Sequence, residues 1–581
     1  MADKQTRFDQ IPPDIDTLYK VFLNGLRVSG DGPCIWHRSS IRHLYRPIKY
    51  SDVLERNIKN DFIGNETRVG IYSKNCPEWF ITTLACIQHS IVIVPLYDTL
   101  GHEAIKFILE QCELNTVVVS DSENAKKLLS ANISFLENII LIDRTNIDEL
   151  ITEGNEYHIK MMLPKPEDIY IICYTSGTTS IPKGVILTHQ NFIANIAATH
   201  LLALTFFPDL ISPNEVEISY LPLPHVVEQI THWCMFLIGS SVGYMTGNVQ
   251  GLMTDMKDLR PTVFPAVPRI LNRIYDQIQE TVKNKNFIAR ALFNFAYQRK
   301  LSLVKQGIIT NDTIWDWIIF SKIQKSLGGR VRLLSIGAAA IDAKVVEACR
   351  VIFGSVIVET YGLTECMLVT SSWPNDTKSV HGGAPAGCTL LKLIDVPELN
   401  YYSNEGKGEI MVKGPHVTKG YFKDPEKTAQ LFDDQGFLHT GDIGQILPNG
   451  SIQIIDRKKH IFKLAQGEYI APEKIENIYL RAPCVQQIFV DGNPLERWLF
   501  LFFFIKVKEY VLNELQKVGI QNNLNSLEKV KAIHLTNEAF SVENGLLTPT
   551  MKGKRPQLRK HYQDIINNLY KTMDSNNDPK K

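Results

Sequence analysis

Short apolar runs separated by helix-length segments are the feature that most constrains how this chain can fold. Such runs occupy Val69–Tyr72, Ile91–Val94, Asn115–Val119, Ile139–Ile142 and Val331–Ile336. Each run is long enough for a buried strand, and the segments between them are long enough for the crossover helices that parallel strands need. The pattern therefore predicts βαβ units, with largely parallel sheets covered by helices.

Length and composition indicate a globular protein of more than one domain. The chain has 581 residues, of which 44% are hydrophobic and 21% charged. Lys+Arg and Asp+Glu both number 62, so there is no global charge to attract nucleic acid or an anionic membrane, and any such contact must be local. The 10 cysteines are scattered without a C-x-x-C pair, which argues against a structural zinc site and a disulfide framework.

No targeting or membrane-spanning segment is evident in the sequence. The N-terminus has no apolar stretch behind its first charges, and the ending Asn577–Lys581 matches no familiar address. The longest apolar run, Trp498–Ile505, is far shorter than the roughly 20 residues of a spanning helix, and it predicts a buried strand instead. We expect a cytoplasmic protein, with peripheral contact to an intracellular membrane left open.

A loop rich in hydroxyls, glycines and one lysine, Tyr174–Gly184, directly follows the apolar run Ile169–Cys173. Glycine lets backbone N–H groups close on an anion, hydroxyls add donors, and Lys183 adds a mobile positive charge. The common nucleotide motif G-x-x-x-x-G-K-[ST] is absent. A polar turn that binds nothing is the alternative. So many hydroxyls beside a lysine favour a polyphosphate ligand.

A second polar group, Tyr361–Glu365, follows the apolar run that begins at Val356. It combines an aromatic ring, a hydroxyl and a carboxylate, which suit a base, a phosphate and a divalent cation. Taken alone, a surface turn with a solvated glutamate explains the segment equally well.

Three later segments also carry chemistry, beyond the point near Gly406 where the sequence turns to Gly, Asp and short alternating strands. Thr440–Asp442 offers a carboxylate that could take both hydroxyls of a ribose. Asp456–Lys459 is a charge cluster, which by itself is usually a solvated face. Leu547–Arg555 places lysines on a Pro/Gly loop, and alone it is most simply a basic surface loop.

Together and in this order, these segments resemble the adenylate-forming superfamily of acyl-CoA synthetases, luciferases and peptide-synthetase adenylation domains. The resemblance extends from about residue 45 to about residue 565. Within the superfamily the chain is most similar to long-chain fatty-acid–CoA ligases. The segments that carry this similarity are Asn75–Trp79, Val94–Gly101, Tyr220–His225, Arg260–Arg269 and Gly545–Lys552.

The resemblance implies an α/β fold in two domains. The large N-terminal domain, residues 1–455, is expected to contain mostly parallel sheets flanked by helices and a small β-barrel-like part. A small, mobile α+β domain, residues 456–575, is expected to follow a hinge near Asp456, and residues 576–581 form a polar tail. The implied reaction activates a fatty acid with ATP and Mg²⁺ to an acyl-adenylate, from which coenzyme A displaces AMP.

The resemblance also gives each matching residue of the nucleotide site a role. Residues implied to hold the β- and γ-phosphates of ATP are Thr175, Ser176, Gly177, Thr178, Thr179 and Lys183. Those implied to sandwich the adenine are Gly337, Ala338, Ala339 and Tyr361. Glu365 is implied to bind the metal and Thr364 the α-phosphate. Asp442 is implied to bind the ribose, assisted by Arg457. The loop departs from the usual pattern at Ser180, where glycine is common.

Two lysines are implied to serve the two half-reactions. Lys552 aligns with the adenylation lysine, whose charge stabilises the transition state, and Lys554 is the rival assignment. Lys463 and Gly467 match the segment that acts in the thioester step, where Gly467 lets the pantetheine arm pass close to the backbone.

The apolar stretch Tyr220–Trp233 resembles the wall of an acyl tunnel, with His225 and Trp233 as substrate-binding residues and Trp233 as a gate. The alternative is that these residues form ordinary core. Two other functions stay open: an adenylate-forming ligase for another acid or acceptor, and a non-catalytic nucleotide or acyl-CoA binding protein. Loss of Lys552, Glu365 or Lys183 would favour the latter, and all three are present. No nucleic-acid partner is expected.

Overall fold

The structure is a computed structural model, and it describes most of the chain. The described residues are 11–40, 42–55, 67–142, 161–175, 182–247, 251–337, 341–374, 376, 381–463, 469–480, 482, 484–485, 487–492, 499–504, 508–522, 524–536, 538–542, 544–548 and 552–576. By its internal contacts the chain divides into two compact units. The first comprises residues 1–338, 343–391 and 412–438, and the second comprises residues 339–342, 392–411 and 439–581.

The first unit contains a six-stranded sheet that is parallel except at one edge. In spatial order its strands are Asn138–Leu141, Thr116–Val119, Arg68–Tyr72, Val92–Leu96, Ile169–Thr175 and Lys183–Thr188. Only the last pair is antiparallel, because these two strands form a hairpin around the predicted phosphate loop.

A nine-stranded sheet also belongs to the first unit. In spatial order its strands are Ala384–Pro385, Met367–Ser371, Val356–Leu363, Leu333–Ile336, Val263–Ala266, Val216–Ser219, Ser241–Tyr244, Pro33–His37 and Arg46–Lys49. The central pairings are parallel and the pairings at both edges are antiparallel.

Helices lie between the strands of both sheets, as the spacing of the apolar runs predicts. The helices of the first unit are Leu18–Ser29, Tyr50–Glu55, Pro77–Gln88, His102–Cys112, Ser122–Ser130, His189–Phe206, Val226–Leu237, Leu252–Leu259, Pro268–Lys283, Phe287–Lys305, Ser321–Ser326, Ala343–Phe353 and Pro425–Ala429. Shorter turns are the 3₁₀ turn Pro208–Leu210 and the π-helical turn Asp316–Phe320.

Local sequence explains why these elements form where they do. Val92–Leu96 is buried at every position, as expected for a parallel strand covered on both faces. The helix His189–Phe206 begins at a capping box, in which the Thr188 hydroxyl accepts the Asn191 N–H and the Asn191 side chain accepts the Thr188 N–H. Asp121 caps the helix Ser122–Ser130 in a similar way.

The second unit is built from smaller sheets. Its four-stranded sheet has the order Leu390–Ile394, Lys407–Lys413, Leu438–Ile446 and Ile452–Arg457. Residues 390–391, 412–413 and 438 of these strands are counted with the first unit. A two-stranded and a three-stranded sheet comprise Phe462–Lys463 with Tyr469–Ile470, and Ile488–Gly492, Leu499–Phe504 and Ala532–Thr536. The short turns and helices are Pro397–Leu399, Ser403–Glu405, Pro472–Tyr479, Lys508–Gln521 and Arg555–Asn576.

The prediction of an α/β fold with large, mostly parallel sheets is confirmed. The apolar run at Trp498 contains the strand Leu499–Phe504, as predicted. The predicted boundary near Asp456 differs from this division by internal contacts, in which residues 439–455 belong to the second unit. The hinge, the mobility of a C-terminal domain and the barrel-like part stay predictions. Within the described residues, no helix has the length and apolarity to cross a bilayer.

Candidate active site

The predicted phosphate loop joins two antiparallel strands. Thr175 and Lys183 are opposite each other in the register of the hairpin, so the loop leaves and re-enters the sheet at one point. Ser176, Gly177, Thr178 and Thr179 lie outside the described residues. The chain continues after the loop as the strand Lys183–Thr188. The predicted phosphate site is therefore not followed directly by a helix N-terminus, whose N–H groups bind phosphate in many nucleotide sites.

Lys183, Tyr421 and Glu365 form one polar group at the end of this hairpin. The Lys183 Nζ lies 4.9 Å from the centre of the Tyr421 ring, which is a cation–π distance. The Tyr421 hydroxyl donates to Glu365 Oε1 at 2.9 Å. Burial and the Glu365 carboxylate raise the pKa of Tyr421, so its hydroxyl stays a donor at neutral pH. One ring therefore connects the predicted phosphate-binding lysine with the predicted metal ligand.

Backbone hydrogen bonds hold Tyr421 in place. The Phe422 N–H donates to the Gly184 carbonyl at 2.7 Å, and the Ile186 N–H donates to the Gly420 carbonyl at 3.1 Å. The Thr418 N–H donates to the Glu365 carbonyl at 2.8 Å. The sequence analysis missed Tyr421, because it is 56 positions from Glu365 and no motif spacing connects them.

The adenine-binding candidates lie on neighbouring strands of the nine-stranded sheet. Ile336 pairs in parallel with Glu359, which brings Gly337 beside Thr360 and next to Tyr361. A Cβ at position 337 would lie 2.9 Å from the Thr360 Oγ1, so glycine permits this approach. Ala338 and Ala339 lie outside the described residues.

Thr364 and Glu365 occupy the tight turn between the strands Val356–Leu363 and Met367–Ser371, and both are half-buried. The Cys366 N–H closes this turn by donating to the Leu363 carbonyl at 3.2 Å. A Cβ at Gly362 would lie only 1.8 Å from the Met367 carbonyl oxygen, so the turn requires glycine there. The same hairpin thus carries Tyr361, Thr364 and Glu365.

In the second unit, Asp442 and Arg457 are opposite each other on two antiparallel strands. The Arg457 Nε lies 3.5 Å from the Asp442 Oδ1, and the Asp442 carboxylate is almost fully buried. Glu409 holds the strand Leu438–Ile446 just before Asp442, because its carboxylate accepts the Gly441 N–H at 3.3 Å. Gly441 has a positive φ of 69°, which glycine adopts without strain. The sequence analysis did not identify Glu409.

Lys552 lies near Asp442 and Arg457 in the same unit. Burial and, to a smaller extent, the nearby Arg457 lower the pKa of Lys552 to about 8, while Glu473 and Asp442 oppose the shift. Two backbone contacts close the chain around Lys552. The Thr548 N–H donates to the Lys552 carbonyl at 2.7 Å, and Leu547 forms an antiparallel β-bridge with Gly553. A buried lysine with charged neighbours and a shifted pKa is a candidate for a functional role, and the role of Lys552 stays a prediction.

Lys554 differs from Lys552 in its surroundings. Burial also lowers the pKa of Lys554, but no neighbouring charge contributes to the shift. The Lys554 N–H donates to the Leu546 carbonyl at 2.9 Å, and the next residue, Arg555, pairs with Glu476 at 2.5 Å. These contacts anchor the end of the loop to the helix Pro472–Tyr479. The choice between Lys552 and Lys554 stays a prediction.

The thioester-step candidates are only partly described. The backbone of Lys463 pairs with Tyr469 in a two-stranded sheet, and Gly467 lies outside the described residues. The Asp456 carboxylate is buried and accepts the Arg457 N–H at 2.6 Å and the Glu473 N–H at 3.0 Å. Asp456 therefore joins a strand to the start of the helix Pro472–Tyr479.

The two substrate-binding candidates occupy different environments. His225 is half-buried at the start of the helix Val226–Leu237, where its Nδ1 accepts the Val227 N–H at 3.3 Å. Trp233 is fully buried against Phe80 and Phe236, and its indole N–H donates to the Tyr170 hydroxyl at 3.3 Å. These are contacts of a core residue, as in the alternative in which the stretch Tyr220–Trp233 forms ordinary core. The role of Trp233 as a gate of an acyl tunnel stays a prediction.

Solved structures of adenylate-forming enzymes share this fold. The A domain of the carboxylic acid reductase from Segniliparus rugosus, solved with AMP and a co-purified carboxylic acid, superposes with a TM-score of 0.78 at 22% identity. That match covers 98% of this chain and 96% of the other. ATP-bound MatB from Rhodopseudomonas palustris superposes with a TM-score of 0.70 at 20% identity, covering 94% and 99%. The fold is therefore that of the adenylation domains.

Sequence relatives narrow the assignment. The profile of the family described as AMP-binding enzyme matches residues 60–422. Long-chain-fatty-acid–CoA ligase 5 of Rattus norvegicus is 42% identical, covering 97% of this chain and 89% of the relative. Long-chain-fatty-acid–CoA ligase 1 of Homo sapiens is 41% identical, covering 96% and 87%. The chain belongs to the AMP-binding enzyme family.

A buried cluster of two carboxylates and one imidazole lies beside His225. Glu217, Glu228 and His232 are each fully buried, with ligand atoms within 4.8 Å of one another. Among the described residues, no hydrogen bond of ordinary geometry reaches either carboxylate, although Ser219 and the Tyr220 backbone act to lower the pKa of Glu228. Burial and the nearby Glu217 carboxylate nevertheless raise the pKa of Glu228 to about 8. Burial lowers the pKa of His232, so the cluster carries little charge at neutral pH.

The raised pKa of Glu228 predicts that the protein loses stability as the pH rises. In the unfolded chain this group ionises near its ordinary value of 4.5, whereas in the folded chain it keeps its proton up to about pH 8. Its contribution is therefore fully present below pH 4.5 and is lost as the pH rises to about 8. Glu228→Gln keeps the shape and removes this titration. As the pH rises from 4.5 to about 8, the thermal midpoint of this variant relative to that of the parent should increase by about 5 °C or more.

The measurement is the thermal midpoint of both proteins by calorimetry from about pH 5 to about pH 9. The control is Glu103→Gln, an exposed carboxylate of the same unit, which should follow the parent at every pH. Parallel curves for the parent and Glu228→Gln would contradict the raised pKa.

Proposed function

We propose that this chain joins a long-chain fatty acid to coenzyme A, using ATP and an acyl-adenylate intermediate and releasing AMP and pyrophosphate. The observation that carries the proposal is the match, over nearly the whole chain, to relatives named long-chain-fatty-acid–CoA ligase. The polar groups at the strand ends support it, because each has the chemistry that one part of ATP requires.

The reaction needs activation because a carboxylate repels nucleophiles and oxide is a poor leaving group. In adenylation a carboxylate oxygen attacks the α-phosphorus of ATP and pyrophosphate leaves, so that AMP becomes the leaving group on the acyl carbon. The coenzyme A thiol then attacks that carbon and displaces AMP. The protein contributes positioning and charge neutralisation, without a covalent nucleophile. In this proposal Thr175, Lys183 and the loop hydroxyls hold the β- and γ-phosphates, while Tyr421 fixes the lysine beside Glu365.

The residues around Glu365 fit a magnesium ion. Mg²⁺ in nucleotide sites takes one or two carboxylates together with substrate phosphates and water. Glu365 offers a half-buried carboxylate whose Oε1 is oriented by the Tyr421 hydroxyl. Among the described residues, none donates a hydrogen bond to its second oxygen. When bound, the ion neutralises charge on the phosphates. Thr364 lies beside Glu365 in the same turn and contacts the α-phosphate.

The base and sugar have candidate partners on the strands already described. Tyr361 stacks on the adenine, and Gly337 with Ala338 and Ala339 covers its other face. Asp442 accepts hydrogen bonds from the two ribose hydroxyls, and Arg457 across the strand orients it. A buried carboxylate held by an arginine is a strong and geometrically fixed acceptor.

Lys552 supplies a cation for adenylation, where negative charge builds on the acyl carboxylate and the α-phosphate. Lys463 and Gly467 serve the thioester half-reaction. The acyl chain occupies an apolar passage that includes the segment from Tyr220 onward, with His225 at its polar end. Each buried methylene adds roughly 0.8 kcal/mol, so long chains are preferred until the passage is full.

A fatty-acid panel tests the function directly. Release of AMP that depends on coenzyme A should occur with saturated acids, and kcat/KM should rise by about threefold or more per added methylene up to long chains. The measurement is AMP production by a coupled assay, with the acid omitted as the control. A flat profile, or a preference for acetate or an aromatic acid, would overturn the long-chain assignment and leave the adenylation chemistry standing.

The lysine assignments predict opposite effects on the half-reactions. Lys552→Ala should slow acyl-adenylate formation by about 10²- to 10³-fold and spare thioester formation from supplied acyl-adenylate. Lys463→Ala should do the reverse. Since the pKa of Lys552 is about 8, adenylation by the parent should fall as the pH rises through that value, and Lys552→Arg should lose this alkaline decline.

Lys554→Ala is the matched control, because it removes a lysine from the same loop. A larger adenylation defect in Lys554→Ala than in Lys552→Ala would move the role to Lys554. Equal losses in both half-reactions for Lys552→Ala and Lys463→Ala would exclude the division of labour.

The Tyr421–Glu365 contact predicts a graded response to Mg²⁺. Glu365→Gln keeps the shape but removes the charge, so it should slow adenylation by about 10- to 1,000-fold and raise the Mg²⁺ concentration at half-maximal rate. Tyr421→Phe keeps the ring over Lys183 and removes only the hydroxyl, so it should shift the Mg²⁺ requirement in the same direction by a smaller factor.

The measurement is a Mg²⁺ titration of the adenylation rate at fixed ATP. Tyr402→Phe is the control, since that hydroxyl belongs to an exposed tyrosine elsewhere in the chain. Superimposable titrations for the parent and Glu365→Gln would identify Glu365 as an ordinary surface residue.

A further inference from the structure

The helix Phe287–Lys305 is apolar on two opposite faces. One face, which includes Phe293, Ala296 and Val304, is buried in the first unit. On the other face Ile288, Leu292 and Phe295 follow one another at a helical spacing and are exposed. A helix that is apolar all round is normally buried, so the second face presents surface that water does not favour.

The segment after this helix extends the exposed apolar surface. The Phe295 ring contacts the Trp315 ring edge to face, with centres 5.3 Å apart. Beyond it, Ile314, Trp317 and Ile318 are also exposed. We call this set the apolar ridge. Its members are Phe287, Ile288, Leu292, Phe295, Ile314, Trp317 and Ile318, of which Phe287 and Ile288 are each 76% exposed and Trp317 is 69% exposed.

A buried ion pair fixes the two parts of the ridge relative to each other. The Lys300 Nζ lies 2.5 Å from the Asp316 Oδ1, and both side chains are almost fully buried. The Asp316 Oδ2 also accepts the Thr313 N–H and hydroxyl, at 2.9 Å and 2.6 Å. Removing either partner would strand a buried charge, so the ridge is a fixed part of the fold.

The charges on and just before the helix Phe287–Lys305 are of one sign. Residues 281–311 contain Lys283, Lys285, Arg290, Arg299, Lys300 and Lys305 but no Asp or Glu, in a chain whose net charge is zero. Five of these cations, Lys283, Lys285, Arg290, Arg299 and Lys305, are exposed on or just before the helix. The nearest acids along the chain are Glu280 and Asp312, and Asp312 accepts the Trp317 indole N–H at 3.3 Å.

We propose that the apolar ridge and its flanking lysines and arginines dock on a bilayer surface that contains anionic phospholipids. Aromatic and branched side chains enter the boundary between headgroups and acyl chains, and the cations contact the headgroups. A second copy of the chain fits less well, because two-fold pairing of this surface would bring like charges together. An acidic protein would match the charge but would not require so many apolar side chains pointing outward from one helix face.

This docking does not depend on the ligase activity. A surface of this kind would keep a fatty-acid ligase beside the bilayer in which such acids partition, and only that consequence rests on the proposed function. The local charge also agrees with the neutral composition, which allowed membrane contact only through a local site.

Vesicle sedimentation tests the proposal with the full chain. The parent should bind vesicles of phosphatidylcholine with roughly one third phosphatidylserine, bind pure phosphatidylcholine weakly, and lose affinity as salt is raised. Trp317→Ser and the double change Lys283→Glu with Lys285→Glu should each weaken binding to the anionic vesicles by about tenfold. Leu44→Ser and Lys126→Glu, which alter an exposed leucine and lysine elsewhere in the same unit, should bind like the parent.

A fluorescence measurement gives an independent readout. Anionic vesicles should shift the tryptophan emission of the parent to shorter wavelength, and Trp317→Phe should keep binding while losing most of that shift. The thermal midpoints of all variants should match the parent, since every altered side chain is exposed. Absence of binding to anionic vesicles would overturn the proposal, as would equal binding by ridge and control variants. Dimerisation in solution that Trp317→Ser abolishes would also overturn it, by identifying the ridge as a protein interface.

Discussion

Parallel strand direction is the constraint on which the first unit depends. Parallel neighbours deliver their carboxyl ends to the same edge of a sheet, so polar segments that follow different strands converge although they are far apart in sequence. Gly337 and Tyr361 are neighbours for this reason, since the strands Leu333–Ile336 and Val356–Leu363 run side by side. The same constraint demands apolar residues throughout the strands, because helices cover both faces.

Convergence alone does not orient a functional side chain. The turn at Glu365 is held from outside its own hairpin, by the Thr418 N–H on its carbonyl and the Tyr421 hydroxyl on its carboxylate. In the second unit Glu409 has a comparable role, because its carboxylate accepts the N–H of Gly441, the residue that precedes Asp442 in the strand. Such supporting residues are as necessary as the groups they position, since preorganised electrostatics lose their value when the groups can move.

Buried charge is handled in two contrasting ways in this chain. Lys300 and Asp316 are paired at 2.5 Å and anchor an exposed apolar surface. Glu217 and Glu228 are equally buried, with the His232 imidazole Nδ1 3.6 Å from the Glu217 Oε1, and the burial raises the pKa of both carboxyls. The first arrangement pairs two buried groups and fixes geometry, whereas the second gives up its charge and makes stability depend on pH.

The sequence by itself determined the α/β class, the positions of the main strands and the polar groups at their ends. Those features depend on local patterns: apolar runs of strand length, glycine at close approaches, and hydroxyls beside a lysine. The apolar run at Trp498 was assigned correctly to a strand because length alone excludes a spanning helix. Only the tertiary structure revealed Tyr421 between Lys183 and Glu365, the shift in the pKa of Lys552 and the packing of Trp233 in the core. It also decided which apolar side chains of the helix Phe287–Lys305 stay exposed, because burial, pKa and orientation depend on neighbours that are distant in the chain.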